Sequence, residues 1–249
     1  MDEKIDKEAV KGFFDDPAVV DHYRRATANI GLWVSEEILF RKVFQPDDRI
    51  LELGCGTGRI AIGLAELGYK HVLGVDQARN MVREARRINK VLELSASFQH
   101  GDATRLKFED ELFDGAIFGF NGLMQIPGRE NRRQAFAEIN RVLRPGGLFV
   151  FTSHDRDHPR HREFWAGESK RWSEGRQMSR LVEYGDRLEK TELGWSFMHV
   201  PTREEVLREL LQTGWQHEWD AMRPDIARED ATTRDFSDDC RFWVARKPG

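Results

Sequence analysis

A glycine-rich turn between a predicted strand and a predicted helix constrains this chain more than any other feature. The apolar run Ile50–Leu53 predicts a short buried strand, and the spacing of apolar residues from Arg59 to Leu67 predicts a helix. Between them lies Glu52-Leu53-Gly54-Cys55-Gly56-Thr57-Gly58. Glycine allows a tight turn and lets a ligand touch the backbone, where a side chain would collide. This arrangement is typical of an α/β ligand site, and taken alone it also fits a nicotinamide or flavin cofactor.

Strands and helices alternate after this turn. Strands are predicted at His71–Asp76, Ser97–His100, Phe113–Phe118 and Leu148–Phe151, with helices at Ala78–Val91 and Arg129–Val142. Two or three short helices are predicted between Glu8 and Val43. Parallel neighbours need crossover connections that are usually helical, so this alternation predicts a mostly parallel sheet with helices on both faces.

The last part of the chain is predicted to close the sheet. A capping box of Thr202 and Glu205 opens a helix that runs to about Thr213. The runs Trp215–Met222 and Cys240–Arg246 predict a hairpin-like pair of strands, joined by a polar loop around residues 225–239. Before them, residues 154–200 are charged and break the alternation, which predicts an inserted lid.

The composition and charge disfavour several classes of protein. The formal net charge is −4, so a nucleic-acid partner is disfavoured. The polar start predicts no signal peptide, and no apolar run approaches the roughly 20 residues of a membrane span. The two cysteines, Cys55 and Cys240, form no CxxC pair and are typical of a reducing compartment. We therefore expect a cytoplasmic protein without a membrane partner.

Two details of the glycine-rich turn distinguish its possible ligands. The spacing is G-x-G-x-G, whereas the dinucleotide fingerprint has its third glycine one position later, where this chain has Arg59. Glu52 places a carboxylate beside the turn, where it would repel a pyrophosphate and could hold an ammonium group. The charge therefore favours a cationic ligand over a nicotinamide dinucleotide.

At these residues the sequence resembles the class I S-adenosylmethionine-dependent methyltransferases, and the resemblance spans about residues 49–153. It continues through Asp76 at the end of the second strand, Gly101-Asp102-Ala103 at the close of the third and Arg144-Pro145-Gly146-Gly147 before the fifth. It implies that Asp76 accepts hydrogen bonds from both ribose hydroxyls, that Asp102 accepts one from the adenine amino group and that Ala103 offers its backbone amide. The implied cofactor-binding residues are Glu52, Gly54, Cys55, Gly56, Gly58, Asp76, Gln77, Met81, Asp102, Ala103, Phe118 and Asn121, with Tyr23 and Arg59 at the methionine end.

The resemblance also implies the architecture. We expect an α/β, Rossmann-like, seven-stranded and mostly parallel sheet in a single methyltransferase domain over residues 1–249. A helical cover (1–45), a cofactor-binding core (46–153), the lid (154–200) and a closing helix with strands (201–249) make up this domain. Cofactor and substrate should meet at the carboxyl ends of the strands.

His154 is the candidate catalytic residue, because it follows the fifth strand and a neutral imidazole there could take a proton. Its neighbours Ser153 and Asp155 cannot complete a triad with it, since consecutive residues of an extended chain point to opposite faces. A metal site of His154, His158 and His161 with nearby aspartates is disfavoured, and no metal is predicted. The tryptophans Trp165, Trp172 and Trp195 either line a substrate pocket or pack the lid.

These patterns predict methyl transfer from S-adenosylmethionine to a small-molecule acceptor. Phe118-Gly119-Phe120-Asn121 stands where a base-amino methyltransferase resembles (D/N)PP(Y/F), and neither cysteine is placed as a nucleophile. A non-catalytic S-adenosylmethionine-binding sensor or partner subunit would keep every motif and stays open. A nicotinamide-dependent oxidoreductase is the less favoured alternative. The acceptor, its reacting atom and the oligomeric state are not specified by the sequence.

Overall fold

The structure is a computed structural model that describes residues 3–249. Its strands are β1 (Arg49–Leu53), β2 (His71–Asp76), β3 (Ser97–His100), β4 (Phe113–Phe118), β5 (Leu143–Ser153), β6 (Asp186–Thr191), β7 (Gly194–His199), β8 (Gln216–Met222) and β9 (Arg241–Arg246). Its helices are α1 (Lys7–Asp15), α2 (Pro17–Asn29), α3 (Val34–Val43), α4 (Arg59–Glu66), α5 (Arg79–Val91), α6 (Arg129–Val142), α7 (Arg162–Ser173), α8 (Arg203–Gln212), α9 (Arg223–Ile226) and α10 (Ala231–Phe236).

Seven of the strands in this part of the chain form one sheet in the order β3-β2-β1-β4-β5-β9-β8. The first five are parallel, and β9 runs antiparallel to both β5 and β8. The predicted seven-stranded, mostly parallel sheet with a closing hairpin-like pair is confirmed. The order reverses between β1 and β4, and open α/β sheets bind their ligands in the crevice outside the strand ends at such a reversal.

Alternate residues of the strands pack against helices on opposite faces of the sheet. Leu51 of β1 packs with Phe136 of α6 and Leu210 of α8 in one core cluster. The next residue back, Ile50, packs with Phe40 of α3 in a second cluster that also holds residues of α4 and α5. This period of two is why the short apolar runs of the sequence become strands buried on both sides.

The capping chemistry fixes the helical ends near the site. Asp6 and Asp16 accept hydrogen bonds from Ala9 and Ala18 and so cap α1 and α2. The capping box at α8, in which Thr202 and Glu205 bond each other's backbone, is present as predicted. These caps define the residues at which α1, α2 and α8 begin.

Residues 154–200 contain α7 and the two-stranded hairpin of β6 and β7. Leu188 and Phe197 of this hairpin pack with Ile5 and Val10 at the start of the chain. The insertion and the N-terminal cover are therefore joined by a small apolar core of their own. Whether the insertion acts as a lid stays a prediction.

Two sequence predictions need correction. Residues 225–239 are not simply a polar loop, because α9 and α10 form here and Glu229 and Thr233 are buried. Strand β5 begins at Leu143 rather than Leu148, since the chain stays paired with β4 on both sides of the irregular Pro-Gly-Gly segment. Among residues 3–249, no helix has both the length and the apolar character that a membrane span requires.

Candidate functional site

An open cleft with about 1050 Å³ of empty space lies at the carboxyl ends of β1, β2 and β4. Its floor is formed by residues at the ends of the strands, including Gly54, Asp76 and Gly119. Residues of α1, α2 and α10 form its other walls. The cleft thus lies at the reversal of strand order, where the fold class predicts a ligand.

The three glycines of the turn have left-handed backbones, with φ of 60° at Gly54, 53° at Gly56 and 91° at Gly58. A Cβ on Gly54 would lie 2.6 Å from the ring of Phe118, and one on Gly58 would lie 2.8 Å from the ring of Phe98. Gly56 differs, because a Cβ there meets no protein atom within 4 Å. Packing therefore requires two of the glycines, whereas Gly56 leaves open space where it lines the cleft.

Asp76 ends β2 and faces the cleft with a buried carboxylate. Its Oδ2 accepts a hydrogen bond of 2.8 Å from the backbone amide of Gly56, and its Oδ1 accepts one of 2.8 Å from that of Ala78. Burial raises the pKa of Asp76 to about 6 against these hydrogen bonds. Each oxygen has further lone-pair capacity, so the carboxylate remains able to accept from a ligand's hydroxyl groups.

Glu52 is 3% exposed and lines the same cleft. Its Oε2 accepts a hydrogen bond of 2.8 Å from the Ala61 amide in the first turn of α4. Burial raises the pKa of Glu52 to about 8, although the positive charge of Arg59 lowers it in part. A carboxyl group held protonated in this way ionises when a cation is brought beside it.

Arg59 is engaged by the protein itself. Its two terminal nitrogens each lie 2.6 Å from a carboxylate oxygen of Glu36, a buried residue of α3. The guanidinium also lies 4.9 Å from the ring centre of Trp33. Arg59 lines the cleft, yet its charge is already neutralised by Glu36. The predicted contact between Arg59 and the methionine carboxylate stays a prediction.

Asp102 lines the cleft opposite the turn and is bonded to the N-terminal cover. Its Oδ2 accepts a hydrogen bond of 2.9 Å from Lys7 Nζ, and its Oδ1 accepts bonds of 2.8 Å from the amide and the hydroxyl of Thr104. Burial raises the pKa of Asp102, but the hydrogen bonds from Lys7 and Thr104 outweigh it and hold the pKa below its ordinary value. Asp102 is therefore a carboxylate that is already paired with the ammonium group of Lys7.

The structure brings most of the predicted site residues to this one cleft. The predicted residues that line it are Tyr23, Glu52, Gly54, Cys55, Gly56, Arg59, Asp76, Gln77, Met81, Asp102, Ala103 and Phe118. Gly58 directly follows the lining residues of the turn. Asn121 lies behind the wall, where it is 2% exposed and its Nδ2 is 3.3 Å from His154 Nε2. That these residues bind a cofactor stays a prediction.

Comparison with known proteins assigns the fold and the family. Residues 50–147 match the family model described as "Methyltransferase domain". The methyltransferase GfsG of Streptomyces halstedii is 33% identical over 138 residues, which are 55% of this chain and 47% of that protein. O-methyltransferase cnsE of Penicillium expansum is 32% identical over 151 residues, 59% of this chain and 51% of that protein. Over the matched residues the chain is a methyltransferase domain of the class I S-adenosylmethionine-dependent kind.

The fold of this methyltransferase family extends over nearly the whole chain. The crystal structure of an S-adenosylmethionine-dependent methyltransferase from Methanosarcina mazei superposes on this chain with a TM-score of 0.69. The two sequences are 22% identical, and the superposition covers 88% of this chain and 99% of that one. At this identity the likeness is one of fold. The chain spans about half the length of the curated relatives it matches, 47% and 51%.

The candidate base His154 is not among the residues that line the methyltransferase cleft. Its Nδ1 lies 3.0 Å from the carbonyl oxygen of Asp239, which fixes Nδ1 as the protonated nitrogen and leaves Nε2 as an acceptor for Asn121. Burial lowers the pKa of His154, although the bond to Asp239 opposes this. The imidazole is thus neutral but committed to protein partners, and its role as a base stays a prediction.

The tryptophans of the insertion pack it rather than line the cleft. Trp165 is buried beside Tyr184 and Phe164, and Trp172 packs against the apolar core shared with the start of the chain. Trp195 is 44% exposed on β7. Of the two interpretations offered by the sequence, Trp165 and Trp172 support packing, whereas Trp195 is exposed and does not line the cleft.

Sequence reasoning missed the aromatic residues that complete the site. Phe236 of α10 lines the cleft and stacks on Phe120, with ring centres 5.3 Å apart. Phe120 itself has a left-handed backbone with φ of 49°, a strained conformation for an aromatic residue. Glu229 anchors the segment, because its carboxylate accepts hydrogen bonds from the amides of Val34 and Ser35 at the start of α3. A buried-polar pattern of this kind has no local sequence signal.

Proposed function

We propose that this chain transfers the methyl group of S-adenosylmethionine to a small-molecule acceptor. The observation that carries the proposal is that three carboxyl groups line one cleft: Glu52 near the end of β1, Asp76 at the end of β2 and Asp102 just after β3. Ammonium, ribose hydroxyls and an adenine amino group are all hydrogen-bond donors, and they match such a row of acceptors. The chain spans only about half the length of the curated relatives. The methyl-transfer activity of the whole protein is therefore part of this proposal.

The side chains present fit S-adenosylmethionine better than a dinucleotide. A pyrophosphate beside the turn would face Glu52 and Asp76, and the nearby cation Arg59 is already paired with Glu36. The positively charged sulfonium and ammonium groups would instead lie near these two carboxyl groups, which are negative when ionised. Gly56 leaves its backbone open to the cleft, so that a ligand can approach it closely.

Methyl transfer requires the chain mainly to place the cofactor and the acceptor relative to each other. S-adenosylmethionine supplies an electrophilic methyl group on sulfur. Asp76 and Asp102 would hold the nucleoside, Glu52 would hold the amino end, and Tyr23 would cover the methionine end. Burial raises the pKa of Tyr23 to about 12, so its hydroxyl stays protonated and is not a base. Alignment of the reactants and exclusion of water are therefore the contributions expected of these residues.

The proposal is tested by turnover in variants of Asp76. We expect Asp76→Ala to lose cofactor affinity by about tenfold or more, since hydrogen bonds to a charged group contribute about 1.5–3 kcal/mol. Asp47→Ala is the matched control, because Asp47 is an exposed aspartate paired with Lys70 away from the cleft. Thermal melts check that both variants fold. Formation of S-adenosylhomocysteine across a panel of small acceptors measures the reaction.

A non-catalytic binding protein is the alternative that the fold leaves open. It predicts that S-adenosylmethionine binds with the same dependence on Asp76 while no acceptor in the panel yields S-adenosylhomocysteine. We also propose a cytoplasmic location. Its support is that both cysteines, Cys55 and Cys240, are free and buried.

A further inference from the structure

The part of the cleft beyond the carboxyl end of β4 differs in character from the floor. Its walls come from α1, α2, the segment 119–127 and α10. Most side chains there are apolar, such as Val10, Ile126 and Pro127, and the polar ones are Lys7, Thr27, Tyr23 and Gln125. The hydroxyl of Thr27 is hydrogen-bonded to that of Thr57. Polar groups that would match the cofactor lie on the other side, after β1, β2 and β3. The cleft is thus divided into a polar half and an apolar half.

Four aromatic rings make a continuous wall in the apolar half. Phe120 stacks on Phe236 at 5.3 Å and meets the edge of Tyr23 at 6.0 Å. Tyr23 in turn lies 5.9 Å from Phe14. We call Phe14, Tyr23, Phe120 and Phe236 the aromatic wall. Such rings favour a flat π-system, since aromatic pairs add about 0.5–1.5 kcal/mol beyond the area they bury.

In the part of the chain that the structure describes, the two cationic side chains that line the cleft are each paired with a carboxylate. Lys7 is bonded to Asp102, and Arg59 is bonded to Glu36. A charged acceptor would lose its hydration here without gaining a free counter-charge from a side chain, and such a transfer is costly. The side-chain amide of Gln125, in contrast, lines the cleft without a hydrogen-bond partner among residues 3–249. It is available to bind one polar group of an otherwise apolar ligand.

From these observations we propose that the methyl acceptor is an uncharged aromatic compound bearing a ring hydroxyl, held against the aromatic wall with its oxygen near Gln125. This inference rests on the proposed function. The hydroxyl ionises by releasing its proton to water, and a lone pair of the resulting oxygen forms the new C–O bond. The C–S bond breaks, and its electron pair stays on sulfur to give S-adenosylhomocysteine. The sulfonium charge neutralises the phenolate as the two approach.

The test measures binding of a flat hydroxylated ring to protein saturated with S-adenosylhomocysteine. The probe is 2-naphthol, and its saturated counterpart, decahydro-2-naphthol, has the same two-ring skeleton without π-electrons. We expect 2-naphthol to bind at least about tenfold more tightly than the saturated alcohol, which corresponds to about 1.4 kcal/mol. Equal affinity of the two alcohols would overturn the aromatic assignment.

Variants locate the binding to the wall. Phe236→Leu keeps apolar bulk and should weaken 2-naphthol binding about fivefold to tenfold while leaving S-adenosylhomocysteine binding unchanged. Phe164→Leu is the control, because Phe164 is 41% exposed on α7 and does not line the cleft. Gln125→Leu should abolish the preference for 2-naphthol over naphthalene. Unchanged 2-naphthol affinity in Phe236→Leu would contradict the proposal, whereas failure of S-adenosylhomocysteine to bind would refute the proposed function instead.

Discussion

Glu52 should make the affinity for S-adenosylmethionine depend on pH in a way that is set by its own ionisation. Burial raises the pKa of this carboxyl group to about 8, so it is mostly protonated in the empty cleft at neutral pH. A bound ammonium group favours the ionised form. Binding therefore includes the release of a proton from Glu52, and the affinity should rise with pH until the free protein is itself ionised.

The size of the effect follows from the fraction of Glu52 that is ionised before binding. With a pKa of about 8, that fraction is about 3% at pH 6.5 and about 24% at pH 7.5. The association constant should then rise about eightfold over this interval, or about 1.2 kcal/mol. Asp76, whose pKa is about 6, adds less than about 1.5-fold in the same window. The window ends below pH 7.7–8.0, where α-amino groups titrate.

Calorimetric titration at several pH values measures this slope directly. Repeating it at pH 7 in buffers of different ionisation enthalpy should show release of nearly one proton per ligand bound. Glu52→Gln should bind more weakly and without the slope, and its side-chain oxygen can still accept the hydrogen bond from Ala61. A flat profile in the unaltered protein, or the same slope in Glu52→Gln, would refute the reasoning.

Three further predictions concern packing around the cleft. Gly54→Ala should lower the free energy of unfolding by at least about 1–3 kcal/mol in urea titrations, since it adds backbone strain and a Cβ 2.6 Å from a ring. Glu36→Gln should cost about 3–5 kcal/mol in the same assay, because it leaves the charge of Arg59 buried without an ionic partner. Cys55 and Cys240 should be unreactive toward a thiol reagent at pH 8 in the folded protein and reactive in urea, because burial raises both thiol pKa values.

Glu52 also has a consequence for stability that can be checked independently of any ligand. The folded protein keeps the proton of Glu52 up to about pH 8, whereas the unfolded chain loses it near 4.5. Because the folded state binds more protons between these values, this group lowers stability as pH rises from about 4.5 to 8. The melting temperature of Glu52→Gln relative to the unaltered protein should therefore rise with pH in that range.

The sequence predicts the sheet and the polar half of the cleft well, because both depend on local patterns. Apolar runs with a period of two, the glycines at 54, 56 and 58 and the carboxylate after β2 are each visible within a few residues. Parallel strands then bring their carboxyl ends to one edge. Residues that lie far apart in sequence, such as Glu52 and Asp102, thereby reach the same cleft.

The apolar half could not be predicted, because it depends on long-range contacts between irregular segments. Phe236 reaches the cleft only because Glu229 binds the first turn of α3, nearly 200 residues earlier in the chain. The sequence of residues 225–239 predicts a polar loop, because polar residues such as Glu229 and Thr233 are usually exposed, whereas the structure buries both. The buried pair of Arg59 and Glu36 could not be predicted either, because Glu36 lies on a helix whose position has no sequence signal.

Calorimetric titration of the purified protein with S-adenosylmethionine, S-adenosylhomocysteine and NADH, after removal of any carried-over ligand, tests the central claim most directly. We predict saturable binding of the first two at one site per chain and no binding of NADH, because the cleft offers carboxyl groups and no free cation for a pyrophosphate within residues 3–249. Saturable binding of NADH, with no heat from S-adenosylmethionine, would contradict the account.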